Sequence, residues 1–276
     1  MLPAPNPRFP TALVARRDLE LLQLALRAHL HQPAIALWRA TEFVMLRDVA
    51  FGMPVLDLGC GTGEVARVVL GSHTPVDGLE YLAREAGVAL ASGVYRSVVR
   101  ADATRAPLRA GAYATVYSQS VLEHIPDDLG AIREAARTLA PGGRLVFTVP
   151  APAFAARVRA GPGGQAALDA LNARLGHHHY RSLDEWCSVL GGVGLRVIAS
   201  DGHLPAATQR AWQRLDALLV RRAGGRRVLD WFRAAQRRKL IPKNVWVALW
   251  TALLWRPFHR AVDDPGGYLI VAQKRA

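Results

Sequence analysis

The chain has 276 residues, 51% hydrophobic and 21% charged, which suits one ordinary globular domain with room for an insertion. Its 24 Gly and 17 Pro show no period, and two cysteines, Cys60 and Cys187, are too few for a disulfide framework, so disordered, collagen-like and disulfide-stapled classes are excluded. The formal net charge is +13, and thirteen Arg or Lys against two acids between Leu204 and Val262 concentrate that excess in one stretch.

The opening, MLPAPNPRFPTALVARRDLE, lacks a short apolar core followed by a small-residue cleavage site, so no secretory signal is expected and a reducing cytoplasm is the expected compartment. Leu19, Leu22, Leu26 and Leu30 recur at helical spacing, as do apolar residues from Ile35 through Leu46, with Pro33 separating two helices. From Pro54 to Leu58 the pattern becomes a short apolar run ending in a glycine cluster, followed by a helix from Glu64 to Leu70. The alternation repeats: strand Pro75 to Leu79, helix Leu82 to Leu90, strand Arg96 to Arg100, strand Ala114 to Ser118, helix Asp127 to Leu139. A Pro141-Gly142-Gly143 turn then leads to strand Arg144 to Val149. Such alternation implies an α/β fold with a parallel sheet covered on both faces. Ser182 before Leu183, Asp184 and Glu185 predicts a capped helix to about Leu190, ended by Gly191, Gly192 and Gly194. Leu195 to Ser200 and Tyr268 to Gln273 read as the last strands, the latter after the turn Asp263 to Gly267, with Leu204 to Val262 inserted between them.

The most informative segment is Val55-Leu-Asp-Leu-Gly-Cys-Gly-Thr-Gly-Glu-Val-Ala66. Gly59, Gly61 and Gly63 allow close backbone approach to a ligand. A dinucleotide loop needs G-x-G-x-x-G, but the spacing is G-x-G-x-G, and Glu64 stands where the last glycine should be. An acid there repels phosphate, whereas Asp57 suits a cationic group such as a sulfonium. Glu80, at the end of the second strand, is placed to accept from ribose hydroxyls, and Asp102, after the third, to face an adenine edge.

With Ala101-Asp102-Ala103, Ser118-Gln-Ser-Val-Leu-Glu-His-Ile-Pro-Asp127 and Leu139-Ala-Pro-Gly-Gly-Arg-Leu-Val146, the chain from Val55 to Leu195 resembles the class I S-adenosylmethionine-dependent methyltransferases, particularly the type 11 group. The resemblance implies a Rossmann-like seven-stranded sheet in the order 3-2-1-4-5-7-6 with the last strand antiparallel. It implies S-adenosyl-L-methionine as cofactor, with Asp57, Gly59, Gly61 and Gly63 around the methionine part, Glu80 at the ribose, and Asp102 with Ala103 at the adenine. Cys60 and Tyr81 join the expected cofactor contacts, and Ser118 and Gln119 are expected to line the methyl-transfer crevice. Cys60 has no neighbouring base, so packing is favoured over a nucleophilic role.

A sulfonium is already a strong electrophile, so the protein must align donor and acceptor, exclude water and take a proton from a hydroxyl acceptor. His124 is the first candidate base, since an imidazole accepts a proton near neutral pH; bracing of its loop is the competing role. In His177-His178-His179-Tyr180-Arg181, His178 or His179 is the candidate facing substrate, with His179 taken as the second catalytic candidate, against a solvated capping cluster. Three consecutive histidines cannot all face one metal and no acid lies at ligand spacing in sequence, so no metal is expected.

Leu204 to Val262 also holds five of the seven tryptophans. Three accounts compete: contact with an anionic membrane or a lipid-tailed acceptor through Val245 to Trp255, which is too short to span; nucleic acid; and packing of Trp246, Trp250 and Leu253 on the sheet or a dimer partner. Nucleic acid is disfavoured, because base-modifying relatives of this fold carry Asp or Asn then Pro-Pro and an aromatic where this chain has Ser118-Gln119-Ser120-Val121. Similar proteins use the N-terminal region as a lid, which would bring Trp38 and Glu42 over the crevice.

The expected organisation is a helical cap (1–50), a cofactor-binding core (51–203), the basic helical insertion (204–262) and a final core strand (263–276). The expected activity is methyl transfer from S-adenosylmethionine to a small-molecule or lipid-linked acceptor, at oxygen, in the cytoplasm or peripherally on the inner membrane face. An RNA methyltransferase and a catalytically inactive cofactor binder are the alternatives.

Overall fold

The computed structural model describes residues 11–71, 76–258 and 264–275, so Pro75, Val262, Asp263 and the first ten residues of the opening lie outside the described residues. The chain divides into two compact units, one of residues 48–202 and 265–276, the other of residues 1–47 and 203–264.

The first unit is built on seven strands: β1 (Val55–Leu58), β2 (Val76–Glu80), β3 (Tyr95–Arg100), β4 (Tyr113–Gln119), β5 (Leu139–Pro150), β6 (Leu195–His203) and, last in the chain, β7 (Gly267–Lys274). Their order is β3-β2-β1-β4-β5-β7-β6, with β1 to β5 parallel to one another and β7 antiparallel to β5, pairing Phe147 with Ile270. This is the sheet that the glycine-loop resemblance implied. The sheet is apolar on both faces because helices cover both. Leu56, Val116, Leu145 and Ile270 are essentially inaccessible, and Phe147 meets Trp186 edge-on at 5.1 Å.

The helices start where the sequence supplies caps. Asp127 accepts from Gly130 N at 2.9 Å at the head of a helix over Asp128–Thr138, and Ser182 with Glu185 completes a capping box on a helix over Leu183–Gly192. That helix runs through Gly191 and Gly192; the expected stop falls on Gly194, whose φ of +78° makes the turn. Pro141-Gly142-Gly143 is not a free turn either: β5 begins at Leu139, opposite Tyr113, and the extra residues form an irregularity before Arg144 pairs with Thr115. Two further helices, Pro152–Arg159 and Gly164–Leu175, occupy a segment where no element was expected.

The second unit is helical: Thr11–Ala28, Pro33–Leu46 with Pro33 at its first turn, Ala206–Val220, Val228–Arg237 and Lys243–Phe258, plus a two-residue hairpin pairing Arg222–Ala223 with Arg226–Arg227. The segments expected as cap and insertion thus belong to one compact unit. Trp38 packs edge-on against Trp212 at 5.6 Å, and Trp246 Nε1 donates to the Leu30 carbonyl at 2.6 Å. Phe232, Trp246 and Trp250 form an aromatic cluster with centroids 5.2 to 6.0 Å apart. Trp38 and Glu42 are buried inside this unit, Glu42 paired with Arg39 at 2.9 Å. The expected packing face of the last helix is shifted: Trp246, Val247, Thr251 and Leu254 are buried, whereas Leu253 is 66% exposed.

Candidate functional site

A cavity of about 600 Å³ opens at the carboxyl ends of β1 to β4, where the strand order reverses and ligands of open α/β sheets bind. Its walls come from four turns: Leu58 and Gly59 after β1; Glu80, Tyr81 and Leu82 after β2; Ala101, Asp102 and Ala103 after β3; and Val121 with His124, Ile125 and Pro126 after β4.

The first turn is glycine for two separate reasons. Gly59 has φ +77°, and a Cβ there would sit 2.5 Å from Val121 Cγ1, so the turn and the β4 loop close together only without a side chain. Gly61, at φ +53°, would have its Cβ in open space, so the left-handed backbone alone calls for glycine there; neither Gly61 nor Gly63 lines the cavity. Gly61 N–H donates to Glu80 Oε2 and Leu82 N–H to Glu80 Oε1, both at 2.9 Å. Glu80 therefore ties the first turn to the second. Each oxygen retains a lone pair, enough to accept from a diol.

Asp57 is buried and accepts from the Tyr95 hydroxyl at 2.7 Å; it does not line the cavity. Burial raises its pKa to about 7, with Tyr95 opposing the rise and the Glu80 charge adding to it. Cys60 is also buried, its Sγ packed where a Cβ on Gly78 would meet it at 2.8 Å, and burial pushes the thiol well above its ordinary range. Cys60, also expected among the cofactor contacts, does not line the cavity. Asp102 is exposed on the cavity rim and accepts from Thr104 N and Oγ1, both at 2.8 Å; these bonds hold its carboxyl below the usual range. Ala103 is buried beside it and Tyr81 is 67% exposed. Ser118 and Gln119 lie deeper, Ser118 Oγ donating to Leu58 O at 3.1 Å and Gln119 accepting from Tyr117 Oη; neither lines the cavity.

His124 is on the cavity wall, and its Nδ1 lies 3.2 Å from the carbonyl of Gly176. A carbonyl only accepts, so Nδ1 carries the proton and Nε2 is the nitrogen able to take another. Gly176 itself is the left-handed cap of the Gly164–Leu175 helix. His177 packs against His124 with ring centroids 5.0 Å apart, and burial, then the His124 charge, lower its pKa to about 3. Tyr180 Oη donates to Asn172 Oδ1 at 2.7 Å, so His177 Nδ1 donates to Tyr180 at 2.9 Å. His178 is exposed, its backbone N–H donating to Glu123 O. His179 Nε2 donates to the carbonyls of Ile125 and Pro126 at 3.2 and 3.0 Å, so it braces the β4 loop from behind. Arg181 grips the buried Asp128 through both guanidinium arms, anchoring the same segment.

Sequence spacing gave no acid near the histidine run. The fold supplies one, since ligand-type atoms of Glu123, His124 and His177 lie within 4.8 Å of one another, a donor set able to hold a divalent cation. Sequence reasoning also missed Val121, Ile125 and Pro126 as cavity walls, although all three lie inside the motif that carries His124.

A family profile described as a methyltransferase domain matches residues 30–200. The chain belongs to that methyltransferase-domain family. The class I assignment and S-adenosylmethionine as its cofactor stand with it, and the turn residues fit that group: a wall without a side chain at Gly59, a carboxylate with spare lone pairs at Glu80, and an apolar wall at Val121 and Ile125. Among curated proteins, this methyltransferase is 37% identical over 106 residues to the ubiquinone biosynthesis O-methyltransferase of Sodalis glossinidius (strain morsitans), covering 36% of this chain and 41% of that one. The chain thus spans about two fifths of that relative's length. Among solved structures, the S-adenosylmethionine-dependent methyltransferase of Mesorhizobium loti aligns with TM-score 0.57 at 20% identity, covering 86% of this chain and 100% of that one. The Haemonchus contortus phosphoethanolamine N-methyltransferase 2, solved with S-adenosyl-L-methionine, aligns with TM-score 0.51 at 17% identity over 84% of this methyltransferase and 51% of that chain. These two similarities establish the fold.

Proposed function

We propose that this methyltransferase transfers a methyl group from S-adenosylmethionine to a hydroxyl oxygen of a small-molecule or lipid-linked acceptor, with His124 as general base. The observation that supports the reading is that His124 lines the cavity with its Nδ1 3.2 Å from Gly176 O, a contact that favours the Nδ1–H tautomer and so makes Nε2 the basic nitrogen. The partial relative named as an O-methyltransferase supports oxygen as the acceptor atom.

When bound, the cofactor supplies an electrophilic methyl on a sulfonium. Glu80 and Asp102 hold the ribose and adenine ends through carboxylate oxygens, while the Gly59 backbone on the cavity wall gives the rest close approach. Val121, Ile125 and Pro126 exclude water from one wall. His124 Nε2 takes the hydroxyl proton as the oxygen loses it, and the resulting imidazolium keeps its Nδ1 bond to Gly176 O.

The test uses the purified chain, labelled methyl donor and a panel of catechols and phenols with and without isoprenoid tails, with donor affinity measured by calorimetry. His124→Ala is expected to lower kcat about 10²- to 10⁴-fold with donor affinity retained, and a chelator is expected to leave turnover unchanged. Unchanged turnover in His124→Ala removes the base. Loss on chelation, restored by a divalent cation, instead assigns the Glu123, His124 and His177 group to metal binding.

A further inference from the structure

The helical unit contains a groove of about 550 Å³ between the helix Ala206–Val220 and the helix Lys243–Phe258, and this groove shares no lining residue with the cofactor cavity. Its walls are apolar: Leu218, Leu253 and the Trp250 ring line it, and Ala211 leaves room for it by presenting only a methyl. Its rim is cationic, set by Arg210, Arg214 and Arg256, all exposed. Arg210, Arg214 and Leu218 follow at intervals of four and so share one helix face. The one acid of that helix, Asp216, falls off that row, and the Lys243–Phe258 helix has none.

The apolar surface continues beyond the groove. Val245, Leu249 and Leu253, again at intervals of four, are 49%, 53% and 66% exposed, and Leu218 across the groove is 49% exposed. Lys243 and Arg256 bracket this row at the two ends of their helix. An exposed apolar stripe rimmed by cations is the arrangement of a helix lying at a membrane interface, its apolar side among acyl chains and its cations at headgroup phosphates. Among the described residues, no helix is long and apolar enough to cross a membrane. Nucleic acid fits less well, because the Trp250 ring is already met by Phe232 and Trp246 and offers bases no open stacking platform.

We propose that this groove takes an acyl chain of an anionic membrane phospholipid, with Arg210 and Arg214 at its phosphate, so that the unit docks on an anionic bilayer surface. The proposal holds whatever the methyl acceptor is.

The experiment is co-sedimentation of the full chain with phosphatidylcholine vesicles with and without phosphatidylglycerol. Binding is expected only to the anionic vesicles and to weaken with added salt. Arg210→Ala with Arg214→Ala is expected to weaken it on the order of thirtyfold, from roughly fivefold per cation at an anionic surface. Ala211→Trp, which fills the groove without altering charge, is expected to weaken it at least about tenfold. Leu253→Asp, at an exposed position that folding does not depend on, is expected to do the same, and thermal unfolding and circular dichroism check that each variant folds. Vesicle binding by both Ala211→Trp and Leu253→Asp at the unsubstituted level, no binding to either vesicle, or displacement by soluble glycerol phosphate or by an RNA oligonucleotide overturns the proposal.

Discussion

The two units use charge differently. In the cofactor unit the carboxylates are committed: Glu80 holds two backbone N–H groups, Asp102 holds Thr104, and Asp77 holds Arg96 and Ser97. Its cavity is fixed by short turns whose residues have little conformational choice. In the helical unit some charges are paired too, Arg39 with the buried Glu42 and Arg227 with Asp230. Arg210 and Arg214, by contrast, stand exposed beside apolar surface, and aromatic contacts and hydrogen bonds such as that of Trp246 to Leu30 help hold the interior. One region can recognise a ligand by shape and fixed polar groups; the other offers an apolar groove beside exposed arginines. Fold-level similarity reports the first kind of site, because its geometry is inseparable from the sheet. The second kind depends on a single groove face and is invisible to it.

The sharpest way to break the first half of this contrast is Gly59→Ala. The substitution forces a side chain into a left-handed turn and drives its Cβ to 2.5 Å from Val121. Backbone strain of about 1–3 kcal/mol adds to roughly 1–3 kcal/mol of overpacking. Calorimetry is expected to show donor binding lost, and urea denaturation a fall of roughly 2–6 kcal/mol. A variant of unaltered stability and affinity means that the turn is not the fixed cradle described.

The next effect is smaller and depends on pH. Folding raises Asp57 to about 7, through burial first, with Tyr95 resisting and Glu80 reinforcing. Between about pH 4 and pH 7 the folded carboxyl keeps a proton that the unfolded one has lost. The unfolded state therefore binds fewer protons, and stability falls as pH rises through that window. The whole gap corresponds to a few kcal/mol, about 4 at most. Asp57→Asn is expected to remove the slope in denaturation measured from pH 4 to pH 8, and an unchanged slope assigns it to another group. If the ionised Asp57 also meets the cation of the donor, donor affinity rises as pH passes 7; a flat affinity profile removes Asp57 from the cation's partners.

Sequence made the sheet and the turns legible because their signals are local. An apolar run, three glycines at fixed spacing and an acid at a strand end each constrain their own few residues. What it concealed depends on phase or on distant partners. The helices Pro152–Arg159 and Gly164–Leu175 are rich in Ala and Arg, with Phe154 and Leu168 among their few well-buried anchors, so no apolar period marks them. Missing them hid Gly176, and with it the carbonyl that orients His124. The acid beside His177 is Glu123, more than fifty residues earlier, a juxtaposition that only the fold creates. In the Lys243–Phe258 helix nearly every position is apolar, so periodicity could not choose a face, and Leu253, which one of the three competing accounts packed inward, lies on the solvent side.

The smallest effect belongs to the helical unit and tests whether the two chemistries are separable. Trp246→Phe keeps an aromatic ring near Phe232 and Trp250 but removes the Nε1–H donated to the Leu30 carbonyl at 2.6 Å. A lost neutral hydrogen bond of this kind costs about 1 kcal/mol. Thermal unfolding is expected to shift down accordingly, while donor affinity, which the proposed function assigns to the turns carrying Gly59, Glu80 and Asp102, stays at its original value. A weaker donor affinity in this variant joins the aromatic cluster to the cofactor site energetically and ends the division of labour drawn here. Unchanged unfolding with unchanged affinity would mean instead that water replaces the indole at Leu30, and that ring packing alone holds this part of the helical unit.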